Sequence, residues 1–383
     1  MQLESGKYAS SNDVTGFFAA NLKDQSESFV SDFQTYFESG AGGAWSLDPR
    51  IVRYQVEIGE NNDTLWFGRD HPLQFLRSTP ITPFSALGSI WTQNDIHALE
   101  PVVDGWIGFG YVKNVAPGIK LSLAYSPLFI PTFGPSLGIS NQGTLNPARF
   151  AQLPPQQVNI NGAPFAIDYQ IQTGQISSIV LQQSALMAAG YDTHGLHVDV
   201  YAYTAPNPNP STSYTEAIAL KNQTANAVVT VTPTFDRQYW SGFQAQLKDV
   251  LFQPTVEFTQ GLQDFSLHSF SLSGSVQTLA KARATFGLLT HLSSPSTTPS
   301  LSDWLVYAQI PFALTARLEF KTIFETTLLT GQQSFYWANT VEYHLNPQLA
   351  LLAEAKILSG QDNSYFGEWR NDDSISAGVK WVW

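Results

Sequence analysis

Of the seven histidines in this 383-residue chain, at positions 71, 97, 194, 197, 268, 291 and 344, only His194 and His197 sit close to one another and to an acid, Asp199. If residues 195–203 form a strand, His197 and Asp199 share a face of it, because side chains two apart in a strand point the same way. A base oriented by a carboxylate activates a hydroxyl nucleophile when one is in reach. In so serine-rich a chain a hydroxyl lies near every histidine, so a polar histidine in a wet interior is the preferred reading. Asn61-Asn-Asp63, Asp362-Asn363 and Asn371-Asp-Asp373 offer oxygen ligands for Ca²⁺ but lack EF-hand spacing, and read as solvated turns. With no cysteine there is no disulfide, thiol nucleophile or thiolate metal site. A Gly-rich phosphate loop followed by Lys and a zincin histidine pair are also missing from the sequence. No catalytic residue, metal or cofactor is expected.

The remaining polar chemistry is spread along the chain with a period of two. Charged residues make up 13% of the sequence, about half the usual share, whereas Trp, Tyr and Phe make up another 13%. The net charge of −12 argues against nucleic acid as a partner. Every apolar run is too short for a membrane-crossing helix, and many ten-residue stretches alternate apolar with polar. In residues 276–288, Val276, Thr278, Ala280, Ala282, Ala284, Phe286 and Leu288 oppose Gln277, Lys281, Arg283 and Thr285. Residues 314–321 set Leu314, Ala316, Leu318 and Phe320 against Thr315, Arg317, Glu319 and Lys321. The chain reads as all-β.

Tight connections are expected at 114–118, 273–274, 311–313 and 345–348, and long ones at 70–102, 127–175, 204–215, 292–301 and 359–373, rich in Gly, Pro, Asn and Ser. Between them fall about 16–18 strands, among them 27–38, 177–189, 216–222, 226–236, 276–290, 303–310 and 314–325. Residues 1–25 are left unassigned. They show no export signal, and Met1 is taken as a start standing where such a signal was removed. No break in composition divides the chain, so residues 1–383 form one domain.

Alternation also sorts the charges. One face receives Arg53, Lys120, Lys248, Lys281, Arg283, Arg317, Lys321, Lys356 and Lys380, with Glu57, Asp104, Asp199, Glu257, Glu319, Glu342 and Glu354. The other mixes Ala, Val, Leu, Thr and rings without the volume matching of a packed sandwich core. That composition suits a wall facing lipid around a water-filled interior, and only a closed sheet satisfies every strand edge in lipid. A solvated outer face on a soluble sheet is the competing reading. Tyr125, Phe235, Tyr239, Phe258, Trp304, Phe335, Trp337, Tyr343, Trp381 and Trp383 gather near strand ends, where rings with an apolar body and polar tip favour a membrane–water boundary.

The last nine residues, Ile375-Ser-Ala-Gly-Val-Lys-Trp-Val-Trp383, alternate and stop on an aromatic. This resembles the terminal strand of Gram-negative outer-membrane β-barrels, and with the short-turn, long-loop rhythm the chain resembles a porin over nearly its whole length. Leu65-Trp-Phe-Gly-Arg69 is similar to a porin strand end whose Arg faces the channel. The resemblance implies a single closed antiparallel transmembrane barrel in the outer membrane, both termini and the short turns in the periplasm, and long loops outside. On this reading the Pro-rich loop 127–175, with a hairpin between 156–160 and 166–172, either constricts the mouth through Arg149 and Asp168 or caps it. The function expected is passive diffusion of small hydrophilic solutes or ions, with weak anion preference, no enzymatic activity, outer-membrane lipid as surroundings, and a homotrimer left open. The rivals are a barrel with a plugged lumen acting as an enzyme or adhesin, and a secreted soluble β-protein that binds polymers.

Overall fold

The computed structural model describes the strands and most of their tight turns. Residues 77–104, 130–137, 140–144, 147–156, 263–266, 278–282, 291–303, 329–333, 361–365, 367–372, 382–383 and several shorter stretches lie outside the described residues. The first strands are β1 (Gln2–Ser10), β2 (Asp13–Gln25), β3 (Phe29–Ser39), β4 (Ala44–Ile58), β5 (Asp63–Asp70), β6 (Trp106–Ala116) and β7 (Ile119–Leu128). Four strands outside the ring follow, β8 (Gly138–Ile139), β9 (Leu145–Asn146), β10 (Gln157–Ile160) and β11 (Ala163–Ile171), then helix α1 (Ile176–Val180). Next come β12 (Ser184–Asp192), β13 (Leu196–Pro206), β14 (Ser211–Lys221), β15 (Thr224–Thr234), β16 (Arg237–Leu247) and β17 (Phe252–Gly261). The chain continues with β18 (Leu267–Gln277), β19 (Arg283–Thr290), β20 (Trp304–Thr315), β21 (Leu318–Thr327), β22 (Phe335–Asn346), β23 (Leu349–Ser359) and β24 (Ser374–Trp381).

Eighteen of these make one antiparallel sheet in which each strand is bonded to a neighbour on both sides. Strand β1 pairs with β2 and also with β24, Gln2 opposite Lys380 and Tyr8 opposite Ser374, so the ladder returns to its start and leaves no edge. Neighbours in this ring are neighbours in sequence except at β7–β12 and β13–β16, where excursions leave and rejoin it. Both excursions start from the same end of the ring, and they meet: β11 runs parallel to β15, giving a second sheet in the order β10-β11-β15-β14.

Turns at the other end are short. In the 193–196 connection, Thr193 Oγ1 accepts from the amides of Gly195 and Leu196 at 3.3 and 3.2 Å. Thr315 does the same for Arg317 and Leu318 at 3.2 and 3.0 Å. A threonine hydroxyl in the first turn position thus replaces the ladder bonds that the reversal breaks. The Pro117-Gly118 reversal uses a glycine at φ 77° with its Cα against the carbonyl of Asp192, where a side chain would clash.

Several sequence expectations are corrected. Residues 1–25 hold two ring strands, β1 and β2, whereas 216–222 and 226–236 belong to the second sheet. The expected strands 276–290 and 314–325 are each divided between two strands: β18 ends at Gln277 and β19 starts at Arg283, with 278–282 outside the described residues, and Ala316 and Arg317 form the reversal between β20 and β21. Conversely 273–274 and 311–313 lie inside strands. Pro311 lies within β20 opposite Lys321 of β21, two residues past the last β19 partner, Gln309. Residues 177–189 divide into α1 and β12. The hairpin expected in the Pro-rich loop is present as β10–β11.

Candidate functional site

The two faces of the ring differ sharply. On β7, Leu121 and Leu123 are exposed while Ser122, Ala124 and Ser126 are buried; on β12, Met187 and Tyr191 are exposed while Leu186 and Ala188 are buried. On β13, Val200 is exposed and His197, Asp199, Tyr201 and Tyr203 are buried; on β23, Leu351 and Ile357 are exposed and Lys356 and Leu358 buried. Leu123 and Met187 keep 60% and 62% of their surface open. The enclosed face instead carries Ser269, Ser271, Ser275, Thr259, Glu257, Gln244 and Gln246. A soluble sheet would do the reverse, since each large apolar side chain left in water forgoes about 1.5–3 kcal/mol. The alternative of two layers meeting in a dry core formed by these apolar faces is not what the described residues show.

The expected charged face can be followed residue by residue. Arg53 and Glu57 alternate with exposed Tyr54, Val56 and Ile58 and so lie on the enclosed side of β4. Lys120, Asp199, Glu257, Arg283, Glu319, Lys321, Glu342, Glu354 and Lys356 also fall on that side of their strands, by alternation and cross-strand register. Lys248 lies one residue beyond β16, and Arg317 sits in a turn instead of on a strand face. Asp104, Lys281 and Arg149 lie outside the described residues; Asp168 is in β11 opposite Val228, in the second sheet.

Several of these charges are held locally. Arg53 pairs with Asp70 at the end of β5, Lys248 Nζ lies 2.6 Å from Asp192, and Lys356 Nζ 3.0 Å from Glu354. Rows of bases facing rows of acids across the interior are therefore replaced, at these three positions, by ion pairs along one wall. His197 is enclosed between two carboxylates, with Nε2 3.2 Å from Asp199 and Nδ1 3.4 Å from Asp192, and His194 stays exposed in the turn. The Asn61–Asp63 piece is a hydrogen-bonded turn. Asp63 accepts from the Tyr111 hydroxyl and the Asn114 amide, and the Asn114 side chain donates to the carbonyls of Asn61 and Asn62.

A feature that the sequence reading missed lies on the enclosed side of β5, β6, β7, β12, β13 and β16. Trp66, Trp106, Val112, Ala124, Leu186, Tyr201, Tyr203 and Trp240 form an apolar cluster there, joined by Leu73, Phe75 and Leu76. Those last three come from residues 71–76, the start of the long β5–β6 connection, which turns inward. The Phe75 ring stacks on Trp66 at 5.6 Å, and Leu76 approaches Gly190 of the far strand β12. The Arg53 guanidinium lies 4.7 Å over Phe75 while holding Asp70, so one side chain fixes both the root and the tip of the inward segment. A second inward contact is Phe366, from the β23–β24 connection, buried against Tyr336 at 6.1 Å. The signal was legible: Leu73-Gln-Phe75-Leu76 is too apolar for a solvated loop.

Of the expected boundary rings, Tyr239, Trp337 and Tyr343 are exposed on the outer side. Phe235 instead is buried against Phe129 at 5.3 Å. The side chains of Trp381 and Trp383 are outside the described residues.

No family model matches the chain, and no curated protein matches it. Among solved structures it is similar to OmpT, an outer membrane protein of Vibrio cholerae, at 8% identity over 100% of this chain and 95% of that one, with a TM-score of 0.38. It is also similar to Salmonella typhi OmpF (10% identity, 99% and 96% covered, TM-score 0.35) and to a mutant Rh. blastica porin (8%, 99% and 97%, 0.42). None of these reaches a TM-score of 0.5, so the architecture of this chain stands on its own ladders.

Proposed function

We propose that the chain is an outer-membrane β-barrel that conducts small hydrophilic solutes passively and carries out no chemistry. The observation that carries this reading is the inversion of the two faces on a sheet that returns to its start: apolar side chains outside, Ser, Gln, Glu and Lys inside. Such an object is stable where hydrocarbon surrounds it and where every strand edge is paired. Constriction is assigned to residues 71–76 instead of the Pro-rich segment 127–175, since the former packs on the inner wall. Selectivity between ions is weak, because Arg53, Lys248 and Lys356 are each neutralised by a neighbouring carboxylate. Planar-bilayer recording of the reconstituted chain tests the reading: stepwise conductance with permeability ratios near unity supports it, and a chain that stays monodisperse in water without detergent overturns it.

The inner apolar cluster favours a second reading, a barrel plugged by residues 71–76 and Phe366. In that case the chain inserts into membranes without conductance steps, and loosening the inward segment opens it.

A further inference from the structure

The outer wall carries a groove of about 580 Å³ across β6, β7, β12, β13 and β16. Its floor includes the small residues Ala185 and Ala202, and its sides are formed by rings such as Phe109, Tyr125 and Tyr239. All of these except the floor alanines stand on the face where large apolar side chains are exposed by alternation, and the alanines share that parity. The groove runs from mid-wall to the end of the ring that carries the long connections. At that rim stands Arg237, two residues before Tyr239 on the same face of β16. Its guanidinium donates to Thr204 Oγ1 at 3.2 Å and to the Gln183 carbonyl at 2.8 Å. Thr204 itself lines the groove, so the cation is fixed at its head. A guanidinium has five N–H donors, and these two bonds leave three for an anion.

An apolar trough one side chain deep, ending in an oriented cation at a membrane boundary, matches a ligand with a hydrocarbon tail and an acidic head. We infer that this groove holds an acidic phospholipid, one acyl chain along the alanine floor and the phosphate on Arg237. The inference rests on the membrane reading above and adds a lipid-specific site to it. Bidentate geometry suits arginine to phosphate in a way a lysine does not reproduce.

Native mass spectrometry of the full chain in neutral detergent, with equimolar phosphatidylglycerol and phosphatidylcholine, tests this. Wild-type protein should retain phosphatidylglycerol over phosphatidylcholine by about tenfold, because both present a phosphate but the choline ammonium cancels its charge and is repelled by Arg237. Arg237→Gln should bring the ratio close to one. Ala185→Trp and Ala202→Trp, which fill the floor, should strip both lipids. These variants should keep wild-type conductance, since none of the three residues faces the interior. Equal retention of the two lipids by wild type, or a preference that survives Arg237→Gln, overturns the proposal, and Arg237→Gln decides it alone if a Trp variant fails to fold. Oligomers that Ala202→Trp dissociates, without bound lipid in wild type, would assign the face to a second copy and also overturn it. A conducting chain without lipid preference sinks the lipid site only, whereas a chain found in the aqueous fraction sinks the channel reading too.

Discussion

Gly68 shows how closely β4 and β5 approach at the root of the inward segment. It lies in β5 at φ 118°, and a Cβ there would fall 1.9 Å from the carbonyl oxygen of Val52 on β4. Both the backbone conformation and the close approach exclude any side chain. Gly68→Ala is expected to destabilise the barrel by about 1–3 kcal/mol, the usual cost of overpacking, visible as a lower urea midpoint for unfolding from liposomes. Two residues on, Asp70 anchors the root of residues 71–76 through Arg53. Arg53→Ala removes both that ion pair and the cation over Phe75, and should raise single-channel conductance and noise. An unchanged current would mean that the segment does not narrow the path. At this scale the sequence showed which charges share a face, because alternation is a local property. It did not show that Arg53, Lys248 and Lys356 meet carboxylates on the same wall, since those partners come from a neighbouring strand, a strand end or the same strand two residues away, and pairing depends on side-chain reach.

Among the elements, the expected upper count of eighteen strands equals the number in the ring, but through two errors that cancel. Strands β1 and β2 escape the count, since Val14, Phe17, Phe18, Ala19 and Ala20 do not alternate cleanly. Segments 216–222 and 226–236 read as strands and are strands, yet they pair with each other and with β11. Alternation reports a two-sided strand and cannot report which sheet it joins. This difference has a consequence that can be measured. Pro206 and Arg237 face each other in the β13–β16 ladder, so residues 207–236 can be replaced by a two-residue Asn-Gly reversal without touching the ring. The deleted chain should still fold and conduct. Removal of residues 1–25, of similar length, takes away β1 and β2 and leaves β3 and β24 each with one unpaired edge; it should abolish folding, read as loss of heat-modifiable mobility on gels. Equal effects of the two deletions would contradict the division between ring and second sheet.

For the whole molecule, the decisive quantity is where the charge sits. The chain carries −12 overall, but the enclosed face mixes bases with acids, and local ion pairs cancel much of what remains. A mobile ion in a water-filled interior responds to the field along its path, screened over about 8–10 Å at physiological salt, so acids in distant loops contribute little to selectivity. Replacing Lys120, Arg283 and Lys321 together with Glu reverses three charges on the enclosed side and leaves the bases of the Arg53, Lys248 and Lys356 pairs in place. The permeability ratio of potassium to chloride, from reversal potentials in a tenfold salt gradient, should move from near unity to several-fold cation preference, and the shift should shrink in molar salt. The same triple change leaves every outward-facing residue in place, so insertion into liposomes should be unaffected. A ratio that does not move would place these side chains away from the ion path, and the plugged barrel would then be the better account of a ring whose inner wall already holds Trp66, Phe75 and Leu76 in contact.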